Sequence, residues 1–584
     1  MRRASALLAA LVGCGQPEAA TTGVGTTAVA TTDADTTDAD TTGHASTSLA
    51  PTSSSTGSPV GDTTSVGDSS SGAPDSGSET GPSSEHCPAG EMRVCFEGGP
   101  GSQPTPPCQS GMQVCELTGA WGPCHGDVLP RPQDCLTPED ETCSDDMPAC
   151  AGAVGWARTY PTLSGAVGAS ALAFAADGDI VAVGNYQGTL PFGDDQFSSI
   201  GDVDVWIARF APDGAPKWFR SFGGPDDGDI DYSGAHWSAG NIALDPGGDI
   251  LVAISVIDAI DFGDGLLFGD PFDPAVLRLT GAGEVLWAHR HVGLGGEDYP
   301  LYVAAGKGGK VWLAGTLYAG SIDLGGGVLH TKGWGDVLLA QFDAAGKHLW
   351  SRRHGDGAHQ EVTGVARAPD GGVVLTGIVE GTLDLGGGPL HSAGQGDAYV
   401  ARLDDTGVQV WARRYGDKFY QTGVAVQVDS GGGVALAGQF YSTIDLGGGP
   451  LASPDAWAIF LARLNPSGNH VWSRALIGDD DNDGVRIASF DLDDDGGLVL
   501  AGYGAMSPNF IGNVWGSGDE AWIASLAANG SPRWLQSALD WPLGLAGPNG
   551  SALAFFTAYD IESVGGLAVG DPGVESLVIA SFGP

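Results

Sequence analysis

The sequence predicts an all-β protein whose main body is a seven-bladed propeller of four-stranded antiparallel blades. Three observations predict it. Tryptophans recur at 156, 218, 287, 350, 411, 472 and 534, at intervals of 62, 69, 63, 61, 61 and 62 residues. Each interval holds four alternating segments separated by Gly, Asp and Pro turns, the content of one blade. The two ends are complementary, as set out below.

One unit shows the pattern. From Gly423 it reads GVAVQVDSGGGVALAGQF, then STIDLGGGPL, then IFLARLNPSGNHVWSRAL. The first piece is two strands joined at Asp429-Ser-Gly. The last is a hairpin joined at Pro466-Ser-Gly. The final unit runs from about Pro542 and stops at SLVIASFGP, which aligns with a third strand and lacks the Trp-bearing fourth. The region opens instead with an unpartnered Trp strand, GWARTYP at 155–161. That strand completes the last blade and removes the open edges a sheet must avoid. The propeller is therefore expected over 151–584.

Three further segments precede it. Residues 1–14, MRRASALLAALVGC, carry Arg2 and Arg3 ahead of a short apolar run ending in Leu11-Val12-Gly13-Cys14. The run is far shorter than the ~20 residues of a membrane span. It resembles the lipobox of bacterial lipoproteins. That resemblance implies cleavage before Cys14, a diacylglyceryl group on its thiol, and export to the cell envelope, at the outer membrane or cell surface. Membrane contact is expected through this anchor only.

Residues 15–86 hold no Phe, Trp, Tyr, Ile, Lys or Arg. Such a segment buries too little apolar surface to offset its ordering entropy, so a disordered linker is expected. As a flexible coil it reaches about 45–50 Å.

Residues 87–150 hold eight of the nine cysteines: Cys87, Cys95, Cys108, Cys115, Cys124, Cys135, Cys143 and Cys150. With Cys14 lipidated, an even number remains. An exported chain meets an oxidising compartment, so disulfides are expected to staple this module. The absence of any C-x₂-C pair argues against zinc. The stretch from Cys87 to Cys135 resembles a Cys-rich module of bacterial surface lipoproteins. The acidic metal segment of that family corresponds to Cys135-Leu-Thr-Pro-Glu-Asp-Glu-Thr-Cys143-Ser-Asp-Asp, which lacks the Asp-x-Asp-Gly spacing.

The propeller segments GDVDVWIARFAPDG, GWGDVLLAQFDAAG and GQGDAYVARLDDTG resemble the β-propeller repeat family of bacterial surface proteins (SBBP-like repeats). The resemblance fades in blades 6 and 7, at GNVWGSGDEAW and VGGLAVGDP.

Charge narrows the partners. With 71 acidic against 25 basic residues the formal net charge is −46. Nucleic acid and anionic lipid both require Lys and Arg to neutralise phosphate, so neither is an expected partner.

Asp204, Asp273, Asp336, Asp397 and Glu520 recur ahead of the third strand, too often for a single site. They are expected to accept turn amides or to meet Arg158, Arg220, Arg352, Arg413 and Arg474, each two residues past a Trp. The DLGGG loops at 323–327, 384–388 and 445–449 are read as tight turns. Asp479, Asp481 and Asp483, in DDDNDG, have the opening of a calcium loop, although Phe490 stands where its Glu belongs. Calcium is the one cofactor suggested, and none is required. Asp491-x-Asp493-x-Asp495-Gly496 has the same spacing on a hairpin turn.

No G-x-S-x-G, H-E-x-x-H or phosphate loop occurs, so no catalytic residue is assigned. His289 with His291, and His354 with His359, are read as surface histidines lacking a carboxylate partner. The expectation is a monomeric, non-catalytic binding or scaffolding module for a surface protein or glycan. The alternatives are a secreted hydrolase or lyase acting at the propeller mouth and a structural envelope protein.

Overall fold

The structure is a computed structural model. It describes residues 87–89, 91–95, 110–116, 118, 120–121 and 153–583, the last with breaks at 202, 226–238, 257–258, 270–272, 295–300, 478–484, 505–520, 539–542, 548–550, 560–561, 565–566 and 572.

Seven four-stranded antiparallel sheets follow one another. Blade 1 comprises Val167–Phe174, Ile180–Tyr186, Asp204–Phe210 and Pro216–Phe222. Blades 2 and 3 run from Ala239 to Arg290 and from Tyr302 to His354. Blade 4 comprises Gln360–Arg367, Val373–Val379, Asp397–Leu403 and Gln409–Tyr415. Blade 5 comprises Gln421–Val428, Val434–Asp445, Pro450–Leu464 and His470–Ile477. Blade 6 runs from Arg486 to Ala538. Blade 7 takes Leu543–Ala546, Ala552–Ala558 and Ser576–Phe582, and its outermost strand is Val154–Pro161. In that strand Ala157 pairs with Ala580 and Tyr160 with Leu577. The expected closure by the N-terminal strand is what the fold shows. The first strands also meet in a ring, with Leu543–Ala546 returning to Val167–Phe174.

The sequence pattern follows from this stacking. Second and third strands are covered on both faces by neighbouring blades, so they read as continuous apolar runs such as VVLTGIV and DVWIARF, nearly all buried. First and fourth strands mix buried and half-exposed positions.

The second strands of blades 1, 4, 5 and 6 carry a Gly where a bulky third-strand side chain crosses them. A Cβ on Gly184 would lie 2.6 Å from the Trp206 ring, one on Gly438 2.4 Å from Phe460 and one on Gly502 2.5 Å from Trp522. The crossing aromatic spans from the third strand to the first, as Trp206 Nε1 does by donating to the Gly168 carbonyl at 3.1 Å.

The recurring Trp braces one blade to the next. Its indole donates to the turn between the third and fourth strands of the following blade: Trp218 to Gly281, Trp287 to Ala344, Trp411 to Pro466 and Trp472 to Ala528, at 2.8–3.2 Å. The Arg two residues on shares that strand face, as expected. Arg220, Arg352 and Arg413 lie over their Trp rings at 5.6, 4.4 and 5.8 Å. Each donates to the same neighbouring turn, at Gly283, Gly407 and Ser467.

Outside the propeller, Met92–Cys95 pairs with Gly111–Val114. Cys87 and Cys115 form a disulfide, and Cys95 is disulfide-bonded too. Arg93 lies 4.2 Å over the Trp121 ring. Cys14, the 15–86 segment, Cys108, Cys124, Cys135, Cys143 and Cys150 lie outside the described residues.

Candidate functional site

Antiparallel blades put two kinds of connection on opposite faces. Turns between first and second, and third and fourth, strands form a turn face. Connections between second and third strands, and from blade to blade, form a loop face.

The turn face is closed by one device repeated. Asp429 Oδ1 accepts the amides of Gly431 and Gly433 at 2.8 Å each, and Asn465 Oδ1 those of Ser467 and Asn469 at 3.0 Å each. A third-strand Arg then meets the acid: Arg209 to Asp179 at 2.6 Å, Arg402 to Asp370 at 2.8 Å, and Arg463 to Asp429. Asp493 belongs here. It accepts the amides of Asp495 and Gly497 and meets Arg533, so the second D-x-D-x-D-G match is this hairpin turn.

The DLGGG loops on the other face are also structural. Asp323 Oδ1 accepts the amides of Gly325 and Gly327 at 2.8 and 3.0 Å, and Asp384 and Asp445 repeat the arrangement. These amides hold the Asp323 carboxyl below the usual carboxylate range. Gly325 needs its φ of 100°, which a larger residue rarely adopts.

The recurrent acids are buried and accept turn amides as expected: Ile200 to Asp204, Gly293 to Asp273, Lys332 to Asp336 and Ala393 to Asp397. Their Arg partners differ from the expectation. Arg353 meets Asp336 at 3.0 Å, Arg414 meets Asp397 at 2.8 Å and Arg290 lies 3.6 Å from Asp273. These stand three residues past the Trp. Strand side chains alternate, so the Arg at plus two turns to the next blade and the residue at plus three to its own. Ser221 fills that place in blade 1. Glu520 lies outside the described residues.

Against this repetition, one stretch varies. Gln360 and Gln421 occupy equivalent positions at the start of blades 4 and 5. Both are fully buried, and each clips the Asp four residues before it, Asp356 or Asp417. Their neighbours diverge: His359 and Glu361 in blade 4, Tyr420 and Thr422 in blade 5. Strand pairing places Gly168, Glu361, Thr422 and Arg486 at the same register of the first strand in blades 1, 4, 5 and 6. These equivalent first-strand positions thus carry different chemistry in the four blades.

Around Glu361 polar and aromatic groups gather. His359 Nε2 lies 3.3 Å from Glu361 Oε2, and the His359 ring 5.7 Å from Tyr318. The hairpin bearing Trp334 bridges to His359 through Gly335. Burial raises the Glu380 carboxyl, and His359 pulls it down. Tyr399 crosses Gly377, where a Cβ would sit 3.0 Å from its Cε1 and 1.9 Å from the Glu361 carbonyl oxygen. Its phenol is thereby carried beside the first strand, fully buried, with no hydrogen-bond partner among the described residues. Burial first, then the Glu361 charge, raises both Tyr399 and Tyr302. One blade further on, the rings of Tyr420 and Tyr441 lie 5.7 and 6.0 Å from Trp457, and Phe419 lies 5.7 Å from Tyr441 under Lys418.

Two histidine readings are corrected. His291 is not a surface residue: it is 9% exposed, with Nε2 buried and without a partner among the described residues. Burial, then the neighbouring His289, lowers its pKa to about 4. His359 does have a carboxylate partner, Glu361, two residues away on the chain.

Exposed large apolar side chains of the propeller, among the described residues, fall in two places. Some lie on or beside the outermost strands, as Leu286 and Leu349 do. The others lie in loop-face connections, including Ile200, Phe268, Trp334 and Tyr559 at 65%, 72%, 80% and 65% exposure. Asp479, Asp481 and Asp483 belong to the connection between blades 5 and 6 and lie outside the described residues. Among the described residues no three His, Cys, Asp or Glu side chains could hold a metal ion.

No protein-family model matches the chain, and no curated protein matches it in sequence. Solved structures resemble it weakly. A virginiamycin B lyase from Staphylococcus aureus is 8% identical, with TM-score 0.36 over 73% of this chain and 99% of that one. An ulvan lyase is 11% identical, with TM-score 0.37 over 73% and 94%. BamB from Moraxella catarrhalis is 12% identical, with TM-score 0.28 over 72% and 98%.

Proposed function

We propose that this chain is a binding module, held at the bacterial cell surface by a lipid on Cys14 and presenting the loop face of its propeller to a partner. One observation carries the binding reading. Among the described residues and away from the outermost strands, the large apolar side chains left in water gather on the loop face, while the turn face spends its side chains on bonds to the next blade and ion pairs to its own hairpins. Exposed apolar groups rimmed by polar ones mark interaction sites.

Two experiments test it. Metabolic labelling with a palmitate analogue should mark the wild type, and Cys14→Ser should lose the label and leave the envelope. Purified full chain should bind the surface fraction of its own cells, with the Phe268→Ala, Trp334→Ala double variant bound much more weakly. Equal binding by that variant contradicts the assignment of the face.

A second reading, a secreted enzyme working at the propeller mouth, is favoured by the His359–Glu361 pair, since a carboxylate that orients a histidine is one element of a general base. Turnover lost in both His359→Gln and Glu361→Gln would support it. Binding without turnover supports the first reading.

A further inference from the structure

The side chains around Glu361 indicate what kind of partner the loop face takes. Aromatic rings are set at intervals across blades 3 to 5: Trp334 and Tyr318, then Tyr420, Tyr441 and Trp457. Polar groups accompany them: His359 and Glu361 beside Tyr318, and Lys418 over Phe419. A protein interface of ordinary size centres on one continuous apolar core with charge kept to the rim. Rings separated by hydrogen-bonding groups match a ligand that alternates in the same way, with apolar C–H faces on each unit and hydroxyls around its edge.

The donors and acceptors fit as well. Glu361 Oε2 meets His359, and among the described residues Oε1 has no partner, so the carboxylate retains room for a hydroxyl donor. Glu361 and Glu380, in a chain of net charge −46, disfavour an acidic ligand.

We propose that the loop face of blades 3–5 binds an oligosaccharide free of acidic sugars. One sugar sits against Glu361 and His359, and the chain lies over Trp334 on one side and Tyr420 and Trp457 on the other. This inference rests on the binding-module reading and names its ligand class.

The test is calorimetric titration of the full chain with chitohexaose, cellohexaose and a hexagalacturonate. At least one neutral hexamer should bind, and the uronate should bind at least tenfold more weakly. Trp334→Ala and Glu361→Gln should each weaken the neutral ligand tenfold or more with unchanged melting temperature. Leu349→Ala, on an outermost strand, should change nothing. Tighter binding of the uronate, or equal binding by Trp334→Ala and Glu361→Gln, overturns the inference. If no hexamer binds while the Phe268→Ala, Trp334→Ala variant still loses the cell-surface fraction, the glycan inference fails and the binding module stands. If that fraction is also bound equally, both fail.

Discussion

The two faces of the propeller are built from the same repeat and use it differently. On the turn face Trp218, Trp287, Trp411 and Trp472 make the same bond to the next blade, and Arg209, Arg402 and Arg463 make the same ion pair to a hairpin acid. On the loop face the conserved register holds unlike residues: Glu361 in blade 4, Thr422 in blade 5, Arg486 in blade 6. A side chain repeated in every blade serves the stacking that every blade needs. A side chain that departs from the repeat is free to serve something made once per molecule.

That contrast can be broken most severely at the closure. Deleting 151–162 removes the strand Val154–Pro161 and leaves Ser576–Phe582 as an open edge. The shortened chain should lose its cooperative melt and form oligomers on size exclusion with light scattering. A monomer melting within a few degrees of wild type would mean that the ring does not depend on this clasp.

Next in size is the turn-face lattice. Trp411 is 7% exposed and donates to Pro466 of the next blade. Trp411→Ala should cost ~3–5 kcal/mol in denaturant unfolding and leave the loop face's ligand affinity unaltered. Loss of affinity without loss of stability would reverse the roles given to the two faces.

A comparable effect follows from pH at the blade 2–3 seam. The folded His291 pKa lies at about 4, below the ordinary 6.5. The unfolded chain therefore takes up the proton first, so the stability His291 contributes is fully present above pH 6.5 and is lost as pH falls towards 4. The loss approaches ~3 kcal/mol at its limit. His291→Phe should flatten that part of the stability profile in chemical denaturation at stepped pH. An unchanged slope would mean another group titrates there.

The smallest expected effect sharpens the comparison most. Trp334 is 80% exposed, so Trp334→Ala should shift stability by no more than about 0.5 kcal/mol. A substantially larger loss would make Trp334 a packing residue and remove it from the candidate site.

The sequence carried the architecture because architecture repeats. The Trp period, the Asp-Ser-Gly and Pro-Ser-Gly turns and the missing fourth strand of the last unit each map onto an observed feature. Arg partners were harder to read. Arg352 and Arg353 are adjacent, and only strand alternation separates the one that braces the next blade from the one that meets Asp336.

The candidate site was nearly illegible for the opposite reason. Tyr399 reaches the Glu361 backbone through a Gly crossing, and Trp457 meets Tyr420 and Tyr441 from another strand, contacts that no local motif announces. The usable signal lay in comparing units: Gln360 and Gln421 recur, while the residues flanking them do not. His291 was misread because a histidine near a strand end gives no sign of the burial its neighbours impose.

The most direct measurement is hydrogen–deuterium exchange on the full chain with and without saturating chitohexaose. Protection gained over 318–335, 355–361, 417–422 and 441–457, with the turns at 343–347, 368–372, 404–408 and 429–433 unchanged, is the result expected if the loop face of blades 3–5 holds the ligand. Protection centred on those turns, with the loop face unchanged, would contradict the division of labour between the two faces.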